Sequence, residues 1–219
     1  MSTLFPQLSP GPPGFALFED VIGRDEEARL LAWARALPLA PYVLHDTPSR
    51  RRVLSFGATY RQGSGRLGQR AVTPAPLPPA LESLIGRCAP LGGIAPDAIA
   101  QALVSHYPAG AGIGWHRDRP EYGPVVVGVS LLGACRLRLR AGARPREVVT
   151  VALPPGSVYV LSGPSRASWE HAIPPVATER WSVTLRTVAR AAPPGGGRSA
   201  ARSGEGGSAG GRGEAPVEP

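Results

Sequence analysis

From about residue 98 onward the chain is written in short β-prone runs, each cut off by glycine or proline, and this texture constrains the fold more than any other feature. The runs are Ile99–Tyr107, Val125–Leu132, Arg136–Arg140, Val148–Leu153, Ser157–Leu161 and Trp181–Val188. Branched and aromatic residues suit a pleated, half-buried surface, and Gly and Pro end each run. Several short strands at such close spacing predict a β-sandwich or barrel rather than alternating βαβ units. Within Arg136–Arg140 the alternation is strict, with three arginines on one face and two leucines on the other. That face is either an exposed strand surface or a charged lining for an anionic cleft.

Upstream, the pattern is helical. Asp25 is placed to cap a helix whose first turn carries Glu26 and Glu27, favourable at the positive end of the helix dipole. Leu30, Ala34 and Leu37 follow at helical spacing, and Pro38 ends the run. A second helix is expected from Pro79, with Leu81, Leu84, Ile85 and Cys88 on one side. No internal repeat interrupts the chain. One domain is expected over residues 14–190, after a flexible N-terminus of residues 1–13. From Ala191 to Pro219 almost no large apolar side chain occurs, so burial cannot offset the entropy of ordering and a disordered tail is expected. Its Arg198, Arg202 and Arg212 balance Glu205, Glu214 and Glu218, which favours a passive tail over an RGG-like nucleic-acid contact.

Composition excludes several classes. Apolar residues make up 42% of the 219, a globular level. No apolar stretch reaches the ~18 residues needed to cross a bilayer, so no membrane partner is expected. The first fifteen residues lack the basic and apolar regions of a secretion signal. Cys88 and Cys135 are too few and too far apart for a disulfide framework or a zinc motif; they read as core thiols in a cytoplasmic protein. The net charge of +8 points toward an anionic partner, but all 24 basic residues are arginine. Coding bias explains that makeup as readily as phosphate binding does, so the charge is weak testimony. Nothing suggests an obligate protein partner.

The chemistry lies in a sparse set of histidines. In Gly114-Trp-His116-Arg-Asp118 the His and Asp are two apart, which on an extended chain puts both side chains on one face. Alone the pair is weak. His171 follows some fifty residues on, in Trp169-Glu-His171, and Arg180 and Arg186 sit six apart on one later strand, hence on one face. Two histidines and a carboxylate are the facial ligand set of non-haem Fe(II) oxygenases, which leaves positions for a bidentate 2-oxo acid and for O2. A dicarboxylate also needs a fixed cation at its far end, for which arginine offers a planar fork.

These residues resemble a known family. Ser105 to Asp118 is similar to the iron-binding motif of AlkB-type dioxygenases. Pro155 to Gly163, Arg166, Trp169-Glu-His171 and Arg180 to Arg186 resemble the rest of that family's core, in order. Arg51 to Gly57 with Tyr60 resembles its substrate lid, and Leu77 to Leu81 the connector after it, so the likeness spans roughly residues 14–188. It implies a mainly β (α+β) fold, a double-stranded β-helix (jelly-roll) core with N-terminal helices and a substrate lid. It implies Fe(II), 2-oxoglutarate and O2, with His116, Asp118 and His171 as metal ligands and catalytic centre. Tyr107 and Arg180 would hold the distal carboxylate of 2-oxoglutarate, with Ser182 nearby and Arg186 by the end that chelates iron. Ser105 stands where the family usually has Asn. The implied reaction is oxidative demethylation: 2-oxoglutarate is decarboxylated to succinate, an N-methyl group is hydroxylated, and formaldehyde leaves. N-alkylated nucleobases in DNA or RNA, such as those methylated on the Watson–Crick edges of adenine and cytosine, would be the substrate, in alkylation repair.

Other residues carry two readings each. Phe56 and Tyr60 either stack on a flipped base or pack in the core. Arg51 and Arg52 either touch phosphates or serve the fold. Trp169 shapes the pocket or packs, and Arg166 lies in or just behind the pocket. His106, Trp115 and Trp181 read as structural, and His45 as solvated. Because fold and triad serve many substrates, the same chemistry on a protein or small molecule remains an alternative, as does a non-catalytic Arg-rich nucleic-acid-binding domain.

Overall fold

The computed structural model describes residues 5–44, 47–60, 71–72, 76–142 and 148–188. In chain order these give β1 (Phe15–Phe18), α1 (Arg24–Arg35), β2 (Ala40–Leu44), β3 (Thr47–Gly57), β4 (Thr59–Tyr60), β5 (Ala71–Val72), α2 (Glu82–Cys88), β6 (Gln101–Tyr107), β7 (Ile113–His116), β8 (Tyr122–Leu131), β9 (Cys135–Ala141), β10 (Val148–Leu153), β11 (Val158–Leu161), α3 (Gly163–Ala167), β12 (Trp169–Ile173) and β13 (Arg180–Val188).

The strands form a seven-stranded sheet of order β1-β11-β8-β13-β6-β3-β2 and a four-stranded sheet of order β10-β9-β12-β7, with β4 and β5 paired as a separate two-stranded sheet. Among the described residues every strand pairing in the two main sheets is antiparallel. This is the jelly-roll core that the family resemblance implies, and a form of the sandwich that the strand texture predicts.

Two apolar layers explain the sequence patterns. One lies between the sheets, where Leu137, Leu139, Val151 and Leu153 of the smaller sheet meet Phe15, Leu17, Val126 and Leu161 of the larger. The other lies on the far side of the larger sheet, under Leu30, Leu31 and Ala34 of α1 and Leu84, Ile85 and Cys88 of α2. The larger sheet is covered on both faces, so β13 is buried from Arg180 through Arg186 although its residues alternate: Arg180, Ser182, Thr184 and Arg186 face the space between the sheets, while Trp181, Val183 and Leu185 face the helix-covered core. The smaller sheet has one outward face. There Leu137 and Leu139 are fully buried while Arg136 is exposed and Arg138 and Arg140 stand outward over Trp115, 5.2 and 4.3 Å from its ring centre. The arginine stripe is therefore an outer sheet surface, with Arg140 also paired to Glu170 at 2.7 Å.

Several expectations change. The N-cap of α1 is Gly23, and Asp25 joins Glu26 and Glu27 in the first turn. Those acids serve tertiary contacts: Glu27 accepts from the Leu132 amide at 2.8 Å, and Glu26 pairs with Arg87 of α2. Residues 5–13, expected as a flexible arm, are tied down: Leu8 and Leu17 exchange backbone hydrogen bonds at 2.8 Å, and Phe5 packs on the core. The stretch Arg51–Gly57, likened to a lid, is strand β3, registered on β6 from Arg52 opposite His106 to Gly57 opposite Gln101. The tail, His45 and residues 61–70 lie outside the described residues.

Candidate active site

The antiparallel pairing of β7 and β12 sets His116 directly opposite His171, with ring centres 4.2 Å apart. Asp118 follows two residues past His116, and the three ligating atoms lie within 4.8 Å of one another. His116 Nδ1 lies 2.9 Å from the Gly114 carbonyl oxygen; in the tautomer that donates there, Nε2 is free to bind a metal. The Asp118 carboxylate accepts from Arg186 Nη2 at 2.6 Å. Its backbone is held by the buried Arg166, which donates to the carbonyls of Asp118 (3.1 Å), Arg119 (2.7 Å) and Tyr122 (3.0 Å).

The local field suits a divalent cation. Burial alone would raise the Asp118 carboxyl, but Arg186, then His171, His116 and Arg166, more than reverse this and hold it well below the usual carboxylate range. Burial pushes His171 down to about 3, with the neighbouring His116 adding to the effect. Burial likewise lowers His116. Two neutral imidazoles and one carboxylate are the protonation states that coordination requires.

Behind this triad a narrow recess is lined by Ser105, Tyr107, Tyr159, Arg180, Ser182 and Thr184. Strand register builds it: on β13 and β6, Arg180 faces Tyr107 and Ser182 faces Ser105. Arg180 is 1% exposed, and its Nε and Nη1 have no hydrogen-bond acceptor among protein groups. Its guanidinium lies 5.0 Å from the Tyr107 ring centre. A buried guanidinium with no acidic partner among the described residues, two free nitrogens and a ring of hydroxyls around it fits the far carboxylate of a dicarboxylic oxo acid. Arg186 differs: it spans Asp118 and Gln101 Oε1 (2.9 Å) and lies over the Tyr122 ring at 4.8 Å.

In front of the triad is a wider chamber of roughly 340 Å3, bordered by Tyr42, Arg51, Gln101, Arg117, Arg119 and Tyr122. Arg51 is 6% exposed, stacked 4.6 Å from the Tyr42 ring centre with Nη1 3.4 Å from the Tyr107 hydroxyl. It faces the cavity, where a phosphate contact on the outer surface is out of its reach. Arg52 alternates to the other side of β3 and is spent on the Leu39 carbonyl at 2.8 and 3.2 Å. Phe56 packs 6.0 Å from Trp33 of α1, in the core and away from the triad, so it has no base to stack on. Trp169 packs on the inter-sheet core and borders neither cavity. The Tyr60 side chain lies outside the described residues. His106 stacks 4.4 Å from Trp181 and bonds Glu179, a structural role.

Gln101, Tyr122, Tyr159 and Tyr42 went unread in the sequence. Gln101 had a signal: it opens the strand that pairs with Arg186, and its Nε2 donates to the Tyr122 hydroxyl at 2.7 Å. Tyr159 had another in Gly128, its cross-strand partner, whose missing side chain leaves room for the ring.

The sequence pattern of the 2OG-Fe(II) oxygenase superfamily matches residues 39–198. The chain is 29% identical over 171 residues to the Mus musculus protein named tRNA (carboxymethyluridine(34)-5-O)-methyltransferase ALKBH8, covering 75% of this chain but 24% of that protein. It thus spans about a quarter of that relative. It is 26% identical over 163 residues to an uncharacterized protein of Acanthamoeba polyphaga mimivirus, covering 74% and 73% of the two. Among solved structures, OsALKBH1 superposes with a TM-score of 0.66 at 16% identity, over 83% of this chain and all (100%) of that one. A Pseudomonas putida prolyl-4-hydroxylase gives 0.56 at 15% identity, over 80% and 93%.

Proposed function

The chain belongs to the 2OG-Fe(II) oxygenase superfamily and is AlkB-like, and from that premise we propose that it removes N-alkyl groups from nucleobases in DNA or RNA by oxidation. As a dioxygenase it uses Fe(II), 2-oxoglutarate and O2. The observation that carries the site assignment is the conjunction, in one cavity, of three ligand atoms within 4.8 Å with a buried guanidinium two of whose nitrogens lack a protein acceptor. The nucleobase clause rests on the likeness to the ALKBH proteins and on the arginine-bordered chamber in front of the triad.

Bound Fe(II) with 2-oxoglutarate and O2 supplies the oxidation that turns a substrate methyl group into hydroxymethyl, with release of succinate and CO2. The chain's residues do the positioning. His116, Asp118 and His171 hold the ion. Arg180 and Tyr107 take the distal carboxylate of 2-oxoglutarate, and Ser105 and Ser182 complete the recess. Arg186 fixes the Asp118 carboxylate through its 2.6 Å bond, and Arg166 fixes the loop that carries it. The hydroxymethylated base then separates into free base and formaldehyde without further oxidation.

The test is formaldehyde release from methylated oligonucleotides with iron and 2-oxoglutarate, with metal content measured in parallel. Wild type should bind about one Fe(II) or Mn(II) per chain, and Asp118→Ala should lose the metal and the activity. An active Asp118→Ala enzyme refutes the site. Turnover of 2-oxoglutarate with no formaldehyde from any methylated oligonucleotide transfers the reading to a protein or small-molecule substrate.

A further inference from the structure

The chamber in front of the triad has a charge that bears on which alkylated base it accepts. Its described lining holds four arginines, Arg51, Arg117, Arg119 and Arg186, and a single carboxylate, Asp118. Asp118 is committed to the ion site and to Arg186. Arg119 is answered from outside the chamber by Glu121 at 3.0 Å. Arg51 has no acidic partner among the described residues and rests on the faces of Tyr42 and Tyr107, 4.6 and 5.8 Å from their ring centres. Arg117 is exposed, and its one hydrogen bond among the described residues is a long 3.5 Å contact to the Ala167 carbonyl. The amide of Gln101 is spent on Ser55, Tyr122 and Arg186. Toward a guest, the charged lining offers guanidinium donors and positive charge.

Alkylated bases divide on this property. N1-methyladenine and N3-methylcytosine are cations at neutral pH and present amino groups, which are donors. N1-methylguanine, N3-methyluracil and N3-methylthymine are neutral and present a keto oxygen, which accepts, at the exocyclic position beside the methylated nitrogen where the cationic bases carry their amino group. A desolvated cation among arginines meets like-charge repulsion, whereas a keto oxygen meets its complement. We propose that the chamber bordered by Arg51, Arg117 and Arg119 selects neutral, keto-bearing N-methylated bases and rejects the cationic, amino-bearing ones. This rests on the nucleobase reading above and narrows it.

Two matched pairs test it: oligonucleotides of one sequence carrying N3-methyluracil or N3-methylcytosine, and N1-methylguanine or N1-methyladenine. The ring size and methyl position agree within each pair, and the phosphates cancel. Binding is read by fluorescence anisotropy on metal-free protein, and turnover by formaldehyde release from the loaded enzyme. The keto base of each pair should bind and turn over at least about tenfold better, given the Coulomb energies of unit charges a few Å apart at a protein surface. Arg117→Glu, at an exposed position, should shift both ratios toward the cationic base by roughly the same factor. Equal or better handling of the cationic bases, with formaldehyde formed, overturns the selectivity and leaves the demethylase reading intact. So does a ratio unmoved by Arg117→Glu. Formaldehyde from none of the four refutes the demethylase reading and this inference with it.

Discussion

Arg180 sets up a direct contest between stability and binding. Its guanidinium is 1% exposed, two of its nitrogens lack an acceptor, no carboxylate among the described residues pairs with it, and it is compensated by the Tyr107 face 5.0 Å away and by the Cys135 thiol. That cation–π contact is worth about 0.5–2 kcal/mol, while an unpaired buried charge costs several kcal/mol. Arg180→Met, similar in length and apolar, should therefore leave the ligand-free protein as stable as wild type or more so. The ligand response should behave oppositely. At 2-oxoglutarate of about 100 times Kd, wild type gains about 2.7 kcal/mol. For a domain of this size that raises Tm by roughly 5–11 °C. Breaking a buried charge pair costs about 3–5 kcal/mol, or more than 100-fold in Kd, so at the same concentration the variant should gain only about 1 °C. The assay is thermal unfolding under anaerobic Mn(II), with and without 2-oxoglutarate. A variant that keeps the full ligand-induced shift refutes the assignment of Arg180 to the cosubstrate. A ligand-free variant destabilised by more than about 3 kcal/mol refutes the claim that the charge lacks a partner in the protein.

Gly128→Ala drives a methyl group into the Tyr159 ring; it should cost about 1–3 kcal/mol and weaken 2-oxoglutarate binding, read by denaturation and by ligand-induced Tm shift. Leu139→Ala, fully buried opposite His171 on the neighbouring strand, should cost about 2–5 kcal/mol in urea unfolding and loosen metal binding. Burial pushes the Cys88 thiol from its ordinary 9.0 up to about 12. The folded state thus holds this proton more tightly than the unfolded chain, and the resulting stability is complete below pH 9 and is lost as pH rises toward 12. Denaturation across that window should show a steeper loss for wild type than for Cys88→Ala, and Cys88 should resist alkylation in the native protein at pH 8; parallel pH profiles would contradict this.

What the sequence determined by itself was local in kind. Strand texture from residue 98 onward marked β6, β8, β9, β10, β11 and β13 to within a few residues, because alternation and Gly/Pro breaks are properties of neighbours along the chain. The strands β7 and β12, short and interrupted by Gly or charge, left no such trace, yet they carry His116 and His171. Those ligands were legible through the spacing of His116 and Asp118 on one extended face and through the family likeness. β1, β2 and β3 were silent, since their meaning lies in pairing with strands far away in sequence. Only the tertiary structure decided which face each arginine takes. Arg51 and Arg52 are adjacent, and the strand's period of two sends one to the cavity and the other to the Leu39 carbonyl. It likewise sent Phe56 to the helix-covered core, left two nitrogens of Arg180 without a protein acceptor, and joined Gln101 to Arg186 across a strand pair. Ligand identity is a matter of residue type and spacing, which one chain can spell out. Charge balance in a cavity depends on which distant side chains share it, and that exists only once the sheets have closed.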